Sequence, residues 1–150
     1  MRIEYHNECD ELVPLLEAWR TEQNGLSMGI DVTVDGFVND INKWLTSLGG
    51  VILVAFDEDN MVGFMVLITV PSELGNQKWG VEKGWYVLPK VPVAALLLYR
   101  RAEDWCRENG CSHFLMSASH LASDMHDRIC TFYQKMGMNQ FETTFIKEIA

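Results

Sequence analysis

The stretch Lys90-Val91-Pro92-Val93-Ala94-Ala95-Leu96 carries the first chemical signal in this chain of 150 residues. Proline suits the start of a helix, because its missing N–H would be unpaired there anyway. The amides of Val93, Ala94, Ala95 and Leu96 would then stand at a helix N-terminus, a natural seat for a phosphate. Lys90, just ahead, adds a positive point charge. The plainer alternative is a helix that merely starts at Pro92 and packs. Other chemistry-bearing residues point away from familiar sites. His113, His120 and His126 make no metal spacing with a carboxylate or cysteine pair. Cys9, Cys106, Cys111 and Cys130 form no C-x-x-C pair, and Cys106 and Cys130 fall in apolar helical patterns as core thiols. Ser117 lacks a G-x-S-x-G setting, which excludes that hydrolase reading. Ser119-His120 reads better as an ordinary loop than as a substrate contact. Of the five tryptophans, Trp19, Trp44 and Trp105 read as core, while Trp79 and Trp85 could wall a cleft.

The elements that must position these residues follow from hydrophobic period. Arg2–His6 fits a short edge strand. Leu12, Leu15, Leu16 and Trp19 share a helical spacing over Glu8–Gln23, with Pro14 in a first turn and Asn24-Gly25 as the stop. Phe37, Ile41, Trp44 and Leu48 predict a second helix over Thr33–Leu48, broken by Gly49-Gly50. The period then changes. Val51–Phe56 and Met61–Val70 are apolar runs joined by Asp57-Glu58-Asp59-Asn60, which predicts a hairpin. Lys78–Leu88 alternates poorly but is rich in Trp, Tyr and Val, and fits a third strand. A helix from Pro92 to Asn109-Gly110, a strand over Ser112–Ala118, a helix over Asp124–Met136 and a last strand over Phe141–Ile149 complete the order. Lys78–Ala118 is thus a β-α-β unit with parallel strands. Its helix begins at the carboxyl end of the first strand, where ligands bind in open α/β sheets.

That order resembles the GNAT N-acetyltransferase superfamily. Trp85-Tyr86-Val87-Leu88-Pro89 resembles the family's fourth strand with its V-x-P ending. Leu97-Leu98 through Glu103-Asp104-Trp105 to Asn109-Gly110 is similar to the long helix after the CoA loop. Phe132-Tyr133-Gln134-Lys135-Met136-Gly137-Met138 resembles the Y-x-k-x-G-F segment. The likeness spans roughly Gly49 to Ile149, and Trp85–Ala95 with Phe141–Glu148 looks most like GNAT proteins of phages and prophages. The resemblance implies an α/β (α+β) class GNAT fold in one domain, residues 1–150. It implies a central mixed, mostly antiparallel sheet, helices on both faces, and a splayed parallel pair of fourth and fifth strands. One feature departs from the family. The Arg/Gln-x-x-Gly-x-Gly/Ala loop is replaced by Lys90-Val91-Pro92-Val93-Ala94-Ala95, which is shorter and has no glycine.

By the same resemblance, acetyl-CoA is the co-substrate, with no metal. The backbone of Trp85, Tyr86 and Val87 would pair with the pantetheine amides. Lys90 and the Val93–Leu96 amides would take the pyrophosphate, and Leu115–Ala118, including Ser117, would form the opposite wall. Tyr133 matches the family's general-acid tyrosine, since a phenol of pKa about 10 can protonate a departing thiolate. Glu82, on the fourth strand, is the candidate base for an attacking amine. The expected reaction is acetyl transfer to a primary amine, small molecule or protein, by direct attack in a ternary complex. The missing glycines motivate an alternative: a GNAT-fold binding protein without turnover, phage-encoded and aimed at a host factor.

Composition narrows the partners. The formal net charge is −9, which disfavours nucleic acid and suits cationic acceptors. Asp31, Asp35 and Asp40 in the first two helices are the acids such an acceptor would meet. Apolar runs such as Val62–Val70 are too short to span a bilayer, and Met1–Asp10 does not look like a signal peptide. The chain is therefore expected in the cytoplasm, without a membrane partner; the resemblance leaves a homodimer open.

Overall fold

The computed structural model describes residues 1–23, 29–121 and 125–149. Strand β1 (Arg2–His6) leads through a 3-10 turn at Asp10–Leu12 into helix α1 (Val13–Thr21). Pro14 lies in its first turn, as the sequence predicts. Helix α2 (Val34–Ser47) begins at Thr33, whose hydroxyl accepts from the Gly36 amide at 3.0 Å. Strands β2 (Val51–Asp57) and β3 (Asn60–Pro71) form a hairpin around Glu58-Asp59. Strand β4 (Lys78–Val87), helix α3 (Val93–Glu108), strand β5 (His113–Leu115) and helix α4 (His126–Lys135) follow.

The sheet order is β1-β2-β3-β4-β5. The first three pairings are antiparallel and β4–β5 is parallel. β2 and β3 are buried along nearly their whole length, because both faces of the sheet are covered. On one face Ile52, Val54, Phe64 and Val66 pack with Leu12, Leu16 and Ile41 of the first helical layer. On the other, Leu53, Ala55, Met65 and Leu67 pack with Ala94, Leu98, Ala102 and Trp105 of α3. Alternate side chains thus serve opposite cores, the period-two logic of a strand buried on both sides. This is the GNAT architecture expected from the sequence.

Several boundaries differ from the sequence reading. The first helix starts at Val13, after a 3-10 turn, rather than at Glu8. β5 is only three residues long, not the seven of Ser112–Ala118. The last helix is regular from His126; Asp124, like the proposed stop at Asn24-Gly25, lies outside the described residues. The largest correction is Phe141–Ile149, which is not a strand in this chain. Its apolar side chains are exposed, with Phe145 at 90% and Ile149 at 83%. Strand propensity is realised only against a neighbour, and among the described residues no strand beyond β5 supplies one.

Candidate active site

A register shift in β4 builds the site. Val66 lies opposite Gly84 but Leu67 lies opposite Glu82, so Lys83 is an extra residue, a β-bulge. A bulge bends its strand and re-aims the side chains beside it. Lys83 lies over the Trp44 ring of α2, and Gly84 faces Phe37 of the same helix. Glu82 and Trp85, three apart, therefore share the opposite face. The poor alternation of Lys78–Leu88 is the trace of this bulge in the sequence.

The bulge sits where β4 and β5 part. Their pairing runs from Trp79↔His113 to Val81↔Leu115 and stops. Beyond it, Glu82–Val87 keeps its β3 partners on one edge and has no strand on the other, among the described residues. Trp85, Tyr86 and Val87 thus have an open backbone edge, as a pantetheine partner requires. Their side chains go elsewhere. Tyr86 points to the α1 layer, where its hydroxyl donates to Glu22 at 2.8 Å. Burial, then the Glu22 hydrogen bond and charge, raise the Tyr86 phenol well above its ordinary value. Trp85 stacks on Tyr133, with centroids 6.0 Å apart and planes at 21°. Its indole Nε1 is buried and has no hydrogen-bond partner among the described residues.

Ser117 joins the two proposed catalytic residues through its backbone. Its N–H donates to the Glu82 carboxylate at 3.3 Å, and its carbonyl accepts from the Tyr133 hydroxyl at 2.8 Å. The Glu82 carboxyl is pushed up to about 7, chiefly by burial, with the Ser117 N–H and Lys83 pulling the other way. That value suits a base working near neutral pH. Tyr133 is buried at 8% exposure, and burial followed by the Glu82 charge raises its phenol well above the ordinary 10. It is a weaker acid than the free phenol assumed from sequence. Tyr133 owes its place to the end of α4. Gly137 adopts φ +84°, and the Met138 amide returns to the Tyr133 carbonyl at 3.0 Å, closing a Schellman end. The tyrosine-to-glycine spacing of the Y-x-k-x-G motif is that closure. Phe132 beside it is half-buried and packs on Trp85 and Tyr99.

The phosphate end is less open than predicted. Pro92 precedes the first helical residue, Val93. The Ala94 amide already donates to the Val91 carbonyl and the Ala95 amide to that of Pro92, each at 3.1 Å. Those two amides would reach a phosphate only as shared donors, and Leu96 continues the helical ladder. Val93 remains exposed at the tip, and Lys90 is exposed in the turn that Pro89 opens, closed by Val91 N–H to Leu88 carbonyl at 2.9 Å. Asp31, Asp35 and Asp40 are exposed. His120 lies in the loop after β5, stacked on His126 with centroids 3.9 Å apart. Trp79 lies away from Trp85, at the start of β4, against His113 and Phe141. No group of three or more His, Cys, Asp or Glu among the described residues could hold a metal ion. No helix there is long and apolar enough to cross a membrane.

Residues 16–138 match the family described as Acetyltransferase (GNAT) family. The chain belongs to that family and carries its acetyltransferase domain. No curated protein sequence matches it. Solved structures share its fold across nearly their whole length. A ribosomal-protein-alanine N-acetyltransferase from Brucella melitensis biovar Abortus 2308 aligns at 16% identity and TM-score 0.73, over 99% of this chain and 100% of the other. An aminoglycoside antibiotic 6'-N-acetyltransferase from Acinetobacter haemolyticus aligns at 19% identity and TM-score 0.69, with 100% of both chains covered. A transcriptional regulator from Bacillus halodurans C-125 aligns at 10% identity and TM-score 0.74, over 99% and 100%.

Proposed function

We propose that the chain acts as one domain that transfers the acetyl group of acetyl-CoA to a primary amine, with Glu82 as base and Tyr133 as acid. The observation that carries this is the parting of β4 from β5 after Val81 and Leu115, with Glu82 and Tyr133 meeting on the backbone of Ser117 beside the gap. The open edge of Trp85–Val87 takes the pantetheine amides, and the unpartnered Trp85 Nε1 offers one more donor there. The Val93 amide and Lys90 serve the pyrophosphate, with Ala94, Ala95 and Leu96 forming the helix end behind them.

In the reaction the neutral amine nitrogen attacks the thioester carbonyl carbon, and the carbon–sulfur bond breaks. Glu82 takes the proton that the nitrogen sheds. With its carboxyl near 7, a substantial fraction is ionised at neutral pH. Tyr133 gives its hydroxyl proton to the departing sulfur, releasing its bond to the Ser117 carbonyl as it does so. Protonation of the sulfur and deprotonation of the nitrogen balance, so the product pair is amide and free thiol. The neighbours named for aminoglycoside and ribosomal-protein acetylation, together with the acidic charge, support a cationic amine as acceptor.

Titration calorimetry with acetyl-CoA tests the reading. Saturable binding with one site per chain is expected. Absence of heat at millimolar acetyl-CoA would sink it and leave a binding protein on a GNAT scaffold.

A further inference from the structure

Two of the four cysteines meet at the end of α3. Gly110 adopts φ +71°, its amide bonds the Arg107 carbonyl at 3.1 Å, and the Cys111 amide returns to the Cys106 carbonyl at 2.9 Å. This is a Schellman end, like the one that closes α4. Such a closure brings the side chain three before the cap residue against the one two beyond it. Asn109 is the cap here, so those positions are Cys106 and Cys111. Four residues separate them in sequence, yet the helix end folds these into a single turn. Both sulfurs occupy the space over Gly80 of β4. A Cβ there would run into the Cys106 Sγ and come within 3.6 Å of the Cys111 Sγ. The two thiols are free and hydrogen-bonded to each other.

The two thiols are unequal. Cys106 is 4% exposed, and burial, then the Cys111 charge and hydrogen bond, push its thiol up to about 12. It stays protonated and donates to Cys111. Cys111 is partly exposed, at the entry to β5. Burial raises its thiol too, while the Lys78 ammonium and the Cys106 hydrogen bond pull it down. Cys111 is therefore the sulfur that an outside molecule can reach, and its thiolate has a cation and a donor beside it. Neither thiol takes part in acyl transfer.

We infer that Cys106 and Cys111 form a redox dithiol, which a low-molecular-weight disulfide such as oxidised glutathione converts to an intramolecular disulfide across the end of α3. The Cys111 thiolate attacks one sulfur of the oxidant, and the other leaves as a thiolate. Cys111 is then held in a mixed disulfide. Its charge is gone, and with it two of the causes that keep the Cys106 thiol high. Cys106 loses its proton and attacks the Cys111 sulfur, which expels the second thiolate of the oxidant. The two protons shed by the cysteines go to the two departing thiolates, and the two electrons lost by the dithiol reduce the oxidant's S–S bond. Closing the bond draws Cys111 onto α3. The next residue, Ser112, bonds the Lys78 carbonyl through its amide at 2.8 Å and leads into β5, whose pairing with β4 stops at Val81 and Leu115. The disulfide thus fastens the short strand that walls the gap to the helix behind it.

Peptide mapping of the full chain after exposure to oxidised glutathione, quenched in acid, reads the outcome. A Cys106–Cys111 crosslink is expected, with loss of two hydrogen atoms and full reversal by dithiothreitol. Cys106→Ala removes the resolving sulfur, so glutathione should remain on Cys111. Cys111→Ala should leave Cys106 unmodified. Circular dichroism checks that both variants fold, and the wild-type map decides the matter without them. In urea the crosslink should lose its advantage over other pairings of the four cysteines, since only the folded helix end brings these two together. Hydrogen exchange reads the fastening: the Cys111–Leu115 amides should exchange about tenfold more slowly in the oxidised chain. A wild-type chain that gains only a glutathione adduct on Cys111, or that joins other cysteines first, overturns the proposal. So does a crosslinked chain whose Cys111–Leu115 amides exchange as fast as before.

Discussion

Replacing Glu82 by Gln isolates what the buried carboxyl does to stability. Gln keeps the shape and an oxygen that can accept from the Ser117 amide, but it cannot ionise. In the native chain the carboxyl is pushed from its ordinary 4.5 up to about 7 by burial. Between those values the folded chain holds a proton that the unfolded chain has released. Stability therefore falls as pH rises through this window, and the contribution is fully present only below it. At about 1.4 kcal/mol per pH unit, the ionised carboxylate costs the fold about 3 kcal/mol by pH 8. Glu82 is partly exposed, so this is an upper bound. Urea unfolding of wild type and Glu82→Gln at pH 4, 6 and 8 gives the test. The difference between the two proteins should shift by about 1–3 kcal/mol from pH 4 to pH 8, in favour of Gln at the higher pH. Groups common to both proteins cancel in the difference. A constant difference across the range would refute a raised carboxyl, and with it the argument for Glu82 as a base near neutrality.

Tyr133→Phe should lower turnover by about 10²–10⁴-fold while acetyl-CoA affinity changes little, read by calorimetry and thiol release; an unchanged rate removes Tyr133 from the reaction. The same variant loses its bond to the Ser117 carbonyl and should lose about 1 kcal/mol of stability in urea unfolding. Gly63→Ala should destabilise by about 1–3 kcal/mol, because the new Cβ would stand 2.9 Å from the Tyr86 carbonyl oxygen and must push β3 off β4. The same displacement should weaken acetyl-CoA binding, since it moves the Trp85–Val87 edge.

Much of the architecture is legible in the chain because local and tertiary signals agree. Thr33 caps the helix whose apolar spacing it precedes, and Pro92 stands where α3 begins. The change of period at Val51 marks the sheet. The site is legible where a residue type carries its role, as with Tyr133 and the glycine four positions on, whose positive φ closes the helix. It is hidden where backbone does the work. Nothing in its own identity marks Ser117 as the bridge between Glu82 and Tyr133, because only its amide and carbonyl take part. The bulge at Lys83 shows in the sequence only as lost alternation, though it decides which side chains reach the gap. A helix start by itself leaves its first amides free, which is what the residue types at Ala94 and Ala95 suggest; the tight turns at Val91 and Pro92 occupy them. Phe141–Ile149 departs for the opposite reason: its residues favour a strand, but pairing depends on a neighbour, and among the described residues no strand pairs with it.

Hydrogen exchange of the chain with and without acetyl-CoA tests the central claim most directly. Bound acetyl-CoA should slow exchange in Glu82–Val87 and at the start of α3, around Val93, while the amides of β2 change little. Unaltered exchange along Glu82–Val87 at saturating acetyl-CoA, or protection confined to another part of the chain, would contradict a substrate held in the gap between β4 and β5.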